Sequence, residues 1–198
     1  MSTGIDIQFV REAYKRMSDQ DLIRALTQDS SGLTNEAIEV VKQEIKDRNL
    51  DPNICEGVDA QQKTYSIDEI DAYCNIIRKL PCPVTGSTTQ KLNATLTAEA
   101  VSFLFFTQYS KKIIVCSPDI LDKANTRALI KSALLGWWGI PWGIIRTIQA
   151  IDINSTNKKT NHIGEPNDFL RSFVLSNIGE IVTYINNKEM LLKIISIN

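Results

Sequence analysis

Few side chains in this sequence have the chemistry to bind a metal or attack a substrate: Cys55, Cys74, Cys82, Cys116 and a single histidine, His162. Two of the cysteines stand in a pattern. Cys82-Pro83-Val84-Thr85-Gly86 comes before two apolar, β-rich runs at 101–107 and 112–116. Cys116-Ser117-Pro118-Asp119 follows them. A closed tetrahedral zinc site built on such a hairpin needs Cys-x-x-Cys-Gly before it and Cys-x-x-Cys after it. Here the first cysteine of each half and Gly86 are present, but the second cysteines are replaced by Thr85 and Asp119. Aspartate can bind zinc, whereas threonine is a poor ligand, so two thiols and one carboxylate leave the site open. The expectation is therefore no bound metal; Cys82, Cys116 and Asp119 are the residues that would hold zinc if any did. Cys74 falls on the apolar face of a helix with Ile70 and Ile77 and reads as a core thiol.

Catalysis has little to draw on. There is no Gly-x-Gly-x-x-Gly, P-loop, Gly-x-Ser-x-Gly or His-Glu-x-x-His run. Asp68, Glu69 and Asp71 open a helix, where acids favour the dipole. His162 lies in a polar stretch with no nucleophile beside it in sequence. The chain reads as a non-enzyme.

The other unusual stretch is apolar. All three tryptophans fall within Gly136-Trp137-Trp138-Gly139-Ile140-Pro141-Trp142-Gly143, and no charge occurs between Lys131 and Arg146. Those 14 residues would cover about 21 Å as a helix, against a hydrocarbon core of roughly 30 Å. Pro141 further argues against one unbroken helix. Trp137, Trp138, Pro141 and Trp142 are thus candidate contact residues, for a protein partner or for a membrane surface, with Lys131 and Arg146 placed to snorkel. The alternative is a helical corner buried in the core, with Gly139 and Gly143 admitting a neighbouring helix.

The supporting elements divide in three. Residues 1–53 read as a helical module, with Ser18 and Thr34 as N-caps and apolar stripes through Leu22, Leu26, Ile38, Val41 and Ile45. Residues 54–65 read as a polar linker. Residues 66–198 hold a helix opened by Ser66, the hairpin with its turn at Tyr109-Ser110-Lys111, the tryptophan segment, a polar loop at 152–165 and closing helices. The ribbon is expected to be held by packing of Phe103, Phe105 and Ile114. The fold class expected is α+β, mostly α: a helical N-terminal module, a small antiparallel β hairpin and C-terminal helices.

Two resemblances attach to these residues. Met17–Leu22, Leu33–Ala37 and Glu44–Leu50 together are similar to short helical modules at the N-termini of many uncharacterised bacterial proteins, which implies a docking or spacer role. Cys82-Pro83-x-x-Gly86, the hairpin, Cys116-x-x-Asp119 and the Gly-Trp-Trp-Gly run resemble uncharacterised bacterial proteins in which a Cys-x-x-Cys zinc-ribbon-like hairpin precedes a membrane-associated Gly-Trp-Trp-Gly segment. The ribbon is degenerate here. The resemblance implies contact with a membrane or interface and no reaction.

Composition sets the outer bounds. A net charge of −1 gives no basic excess for general nucleic-acid binding. The N-terminus carries no secretory signal pattern, so the expectation is a cytoplasmic protein, peripheral to the inner membrane if the tryptophans meet lipid. The functional expectation is a non-enzymatic interaction protein whose tryptophan segment contacts a protein partner or the membrane surface. Its alternative is a soluble partner-binding protein of immunity or antitoxin type with that segment buried in its core.

Overall fold

The computed structural model describes residues 7–196. In chain order the elements are α1 (Ile7–Arg16), α2 (Asp19–Gln28), a 3-10 turn (Ser30–Gly32), α3 (Asn35–Asp47), α4 (Asn53–Gln62), α5 (Ile67–Ile77), β1 (Asn93–Phe103), β2 (Phe106–Cys116), α6 (Pro118–Leu135), α7 (Trp142–Lys158), α8 (Asp168–Ser176), α9 (Ile178–Thr183) and α10 (Lys188–Ser196). The fold is α+β and mostly α, with a two-stranded antiparallel sheet. The chain forms two compact units, residues 1–66 with 175–191 and residues 67–174 with 192–198.

The first unit is helical. Ser18 and Thr34 cap α2 and α3 as expected, accepting from the Asp21 and Ala37 backbone N–H groups. Leu22, Leu26, Ile38, Val41, Ile45, Ile54 and Val58 form its core. The end of α1 is closed by Arg48, whose guanidinium donates to the Tyr14 and Met17 carbonyls at 2.8 Å each. Helix ends leave such carbonyls without intrahelical partners, and a cation also suits the C-terminal dipole. Two expectations need correction. The stretch 54–65 is not a linker: α4 occupies most of it and buries Ile54, Gly57, Val58 and Ala60. Asn53, Glu56 and Asp59 face outward, and polarity alone does not separate an amphipathic helix from a loop. Residues 175–191, expected with the C-terminal part, belong to this unit, where α9 packs on α4.

The second unit is built around β1. Its register with β2 runs from Asn93↔Cys116 to Phe103↔Phe106. The turn is therefore at Leu104-Phe105, and Tyr109-Ser110-Lys111 lies inside β2. The sequence misleads because turn residues are normally Gly, Asn, Asp or Pro, and here the tip is apolar.

Helices α6 and α7 pack along β1. A strand with one neighbour leaves every second residue's N–H and C=O unpaired, which is costly when buried. Side chains meet that need here. Asn154, wholly buried on α7, donates to the Ala98 carbonyl at 2.6 Å and accepts from the Ala98 N–H at 3.3 Å. Asn157 donates to the Leu96 carbonyl at 2.8 Å. Asn167 donates to the Ala94 carbonyl at 2.6 Å, and Ser132 accepts from the Ala100 N–H at 3.0 Å. Asn125 joins the set, donating to Asn154 and accepting from Thr95 and Asn161. Alternate residues of β1 thus find a ladder of amides and a hydroxyl where a third strand would lie. Alanine at 94, 98 and 100 leaves room for the helices to come that close. The polar stretch 152–165, expected as a loop, is one only from residue 159 onward; its first part is the end of α7 and supplies two rungs of this ladder.

Candidate functional site

The ladder fixes two loops at one end of the second unit. At the hairpin end, the Ser102 hydroxyl donates to the Gly136 carbonyl at 2.6 Å and meets the Thr107 hydroxyl at 3.0 Å. This ties the base of the hairpin tip to the end of α6. The corner between α6 and α7 closes against the same two residues. A Cβ on Gly143 would come 2.6 Å from the Ser102 Oγ, and one on Gly139 would collide with the Thr107 hydroxyl. The Gly139-x-x-x-Gly143 spacing therefore admits the hairpin, not another helix as the sequence suggested.

Beyond these anchors both loops are apolar and open to solvent. Phe103, Leu104, Phe105 and Phe106 form the tip, with Phe105 95% exposed. From the corner project Trp137, Trp138, Ile140 and Trp142, with Trp138 at 70% and Ile140 at 75%. Pro141 is exposed between them, follows a cis peptide bond and sits at the start of α7. The indole N–H groups of Trp137 and Trp138 donate to the Ala133 and Leu134 carbonyls, at 2.7 and 3.4 Å. Their polar edge is thus spent on the last turn of α6, leaving the ring faces free of any need for water. Covering a large apolar side chain is worth about 1.5–3 kcal/mol, so an end carrying eight of them is a surface expected to be covered by something else.

Three expectations change here. The corner exists, but within this chain its tryptophans are not core: the space beneath them is filled by Ser102, Thr107 and Thr147, which leaves the rings outside. The reading of a soluble binder with that segment buried loses its structural premise. Phe103 and Phe105 do not hold the ribbon together, since both point into solvent. The tip, not singled out as a contact residue set from sequence, is half of the site. Its signal was available: Phe103-Leu104-Phe105-Phe106 is a run of four consecutive large apolar residues, too many for the alternation of a half-buried strand.

The candidate metal residues lie toward the other end of the hairpin. The Cys82 and Cys116 sulfurs are 3.1 Å apart and buried, both as free thiols. The loop holding Cys82 keeps a tight turn, with Gly86 N–H donating to the Cys82 carbonyl at 2.8 Å and Gly86 at φ +70°. Asp119 does not join them; its carboxylate accepts from Gln90 at 3.0 Å. His162 pairs with Asp122 at 3.2 Å. Among the described residues no group of three or more His, Cys, Asp or Glu side chains converges. The two thiols titrate as a pair. Burial raises Cys82, but hydrogen bonds from Ser117 and Thr85 outweigh it and draw it down to about 6. Burial, then the hydrogen bond to Cys82 and its charge, push Cys116 up to about 12. The buried contact joins the loop before β1 to the end of β2.

Among the described residues no helix is long and apolar enough to cross a membrane. No family model, curated protein or solved structure matches this chain.

Proposed function

We propose that this chain is a non-catalytic interaction protein that attaches to a membrane surface through the paired apolar loops of its second unit. The observation that carries the reading is convergence. Two segments 30 or so residues apart in sequence, neither of which serves the core, are clamped side by side and present aromatic and aliphatic side chains outward. Tryptophan and phenylalanine at such a place suit the boundary between headgroups and acyl chains. The clamp also spares the surface an ordering cost, because both loops are already held in shape. Attachment of this kind is peripheral: it needs only the first few ångströms of the bilayer and no spanning helix.

Titration of the full chain with phosphatidylcholine vesicles tests the proposal. Tryptophan emission is expected to shift to the blue, and the protein to co-sediment with the vesicles. The double variant Phe105→Ser with Trp138→Ser is expected to lose both effects while unfolding as the parent does, since neither side chain is in the core. Unchanged emission and a fully soluble parent protein would refute it.

A further inference from the structure

Resting on that reading, we propose that the open face of α6 is an anionic-phospholipid site, which turns the apolar end onto a negatively charged bilayer with α6 lying against it. The distribution of charge comes first. Residues 100–117 and 124–151 contain no aspartate or glutamate, yet they carry Lys111, Lys112, Arg127, Lys131 and Arg146. The whole chain, by contrast, is at −1. The part of the sequence that makes the apolar end thus carries a net positive charge, with Asp119 and Asp122 the acids between the two stretches.

The second observation is geometric. Along α6 runs an open groove of ≈ 1090 Å³, lined by Lys123, Arg127, Lys131 and Lys158 together with Ile130 and Leu134. The first three cations recur every four residues, so they form one row with a rise of about 6 Å per step. The apolar wall is continuous with the apolar end, because Leu134 and Leu135 lead directly into the tryptophan corner. The single carboxylate on the groove, Asp122, is already engaged by Asn161 and His162. Lys131 keeps an exposed contact with Glu99 on β1, and Arg127 and Lys123 remain open to solvent. A row of cations beside an apolar wall matches the two parts of an anionic lipid, its phosphate and the start of its acyl chains. The groove commits the protein to one orientation, in which the two loops insert and the flank of α6 meets the headgroups.

Co-sedimentation of the full chain with two vesicle types tests this, one of phosphatidylcholine alone and one with a third of its lipid as phosphatidylglycerol. Near an anionic surface each cation strengthens binding about fivefold. The anionic vesicles should therefore bind at least 20-fold more tightly at low salt, and the advantage should shrink as salt is raised. The triple variant Lys123→Gln, Arg127→Gln, Lys131→Gln should lose about 100-fold on the anionic vesicles and little on the neutral ones. The matched control Arg11→Gln, Lys15→Gln, Arg16→Gln on α1 removes the same charge elsewhere and should leave binding near the parent value. Equal loss in both variants, or equal affinity of the parent for both vesicles, would overturn the site while leaving attachment through the apolar end intact. Failure of the parent to bind either vesicle would overturn both readings. So would a concentration-dependent dimer that abolishes vesicle binding.

Discussion

Leu104 carries the clearest sign of local strain. It occupies the left-handed region at φ +52° in the two-residue turn at the hairpin tip, where a branched side chain costs about 1 kcal/mol and glycine would sit at ease. Its side chain is largely exposed, so no packing inside the chain repays the conformation. A strained residue that the fold does not use is a reason to look for use outside the fold. Leu104→Gly should therefore separate the two roles. In denaturant unfolding the variant is expected to gain about 0.5–1 kcal/mol. On phosphatidylcholine vesicles it is expected to bind about fivefold or more weakly, because an inserted leucine is lost. A variant less stable than the parent would mean that Leu104 is held by native contacts and that the tip is not built for display.

At the scale of elements, the unit depends on helices that finish a sheet with side chains. The amide of Asn154 reproduces what a neighbouring strand would offer Ala98, one donor and one acceptor. Asn154→Ala should leave both groups buried and unpaired, each at about 1–3 kcal/mol, and so cost about 3 kcal/mol or more by chemical denaturation. Because the ladder positions both loops, the surviving folded protein should also show broadened tryptophan emission. A loss under 1 kcal/mol would mean that water replaces the amide and that the ladder is incidental. Little of this was legible in the sequence. The caps at Ser18 and Thr34, the helical stripes and the existence of a hairpin follow from local pattern, and the structure has them. The ladder does not follow, since Asn154 and Asn157 look like any polar run until a strand edge is set beside them. The hairpin tip was misplaced for the converse reason, as its turn has apolar residues where turn chemistry leads one to expect glycine or asparagine. The structure brings Cys82 and Cys116 together, whereas Asp119, drawn in by spacing alone, is held elsewhere by Gln90.

For the whole molecule, the consequence of a discontinuous first unit is that its stability is not contained in its first 66 residues. Helix α9 comes from the far end of the sequence and meets α4 at two glycines: a Cβ on Gly57 would fall 2.5 Å from the Gly179 carbonyl oxygen. Nearby, Gln61 donates to the Leu26 carbonyl at 2.6 Å and accepts from the Ser30 N–H at 3.0 Å, and Gln28 donates to Glu180 at 3.1 Å. Without α9, the face of α4 that carries Gly57 is bared to water. A helical chain of about 60 residues has little core to spare for that exposure. The fragment 1–66 is therefore expected to be partly helical by circular dichroism but to unfold over a broad denaturant range. Supplying residues 175–191, joined to it by a flexible linker, should sharpen the transition and raise its midpoint. If fragment 1–66 unfolds cooperatively by itself and the added segment changes nothing, then α9 is only a passenger on α4. The return of the chain to the first unit would then have no part in holding that unit folded.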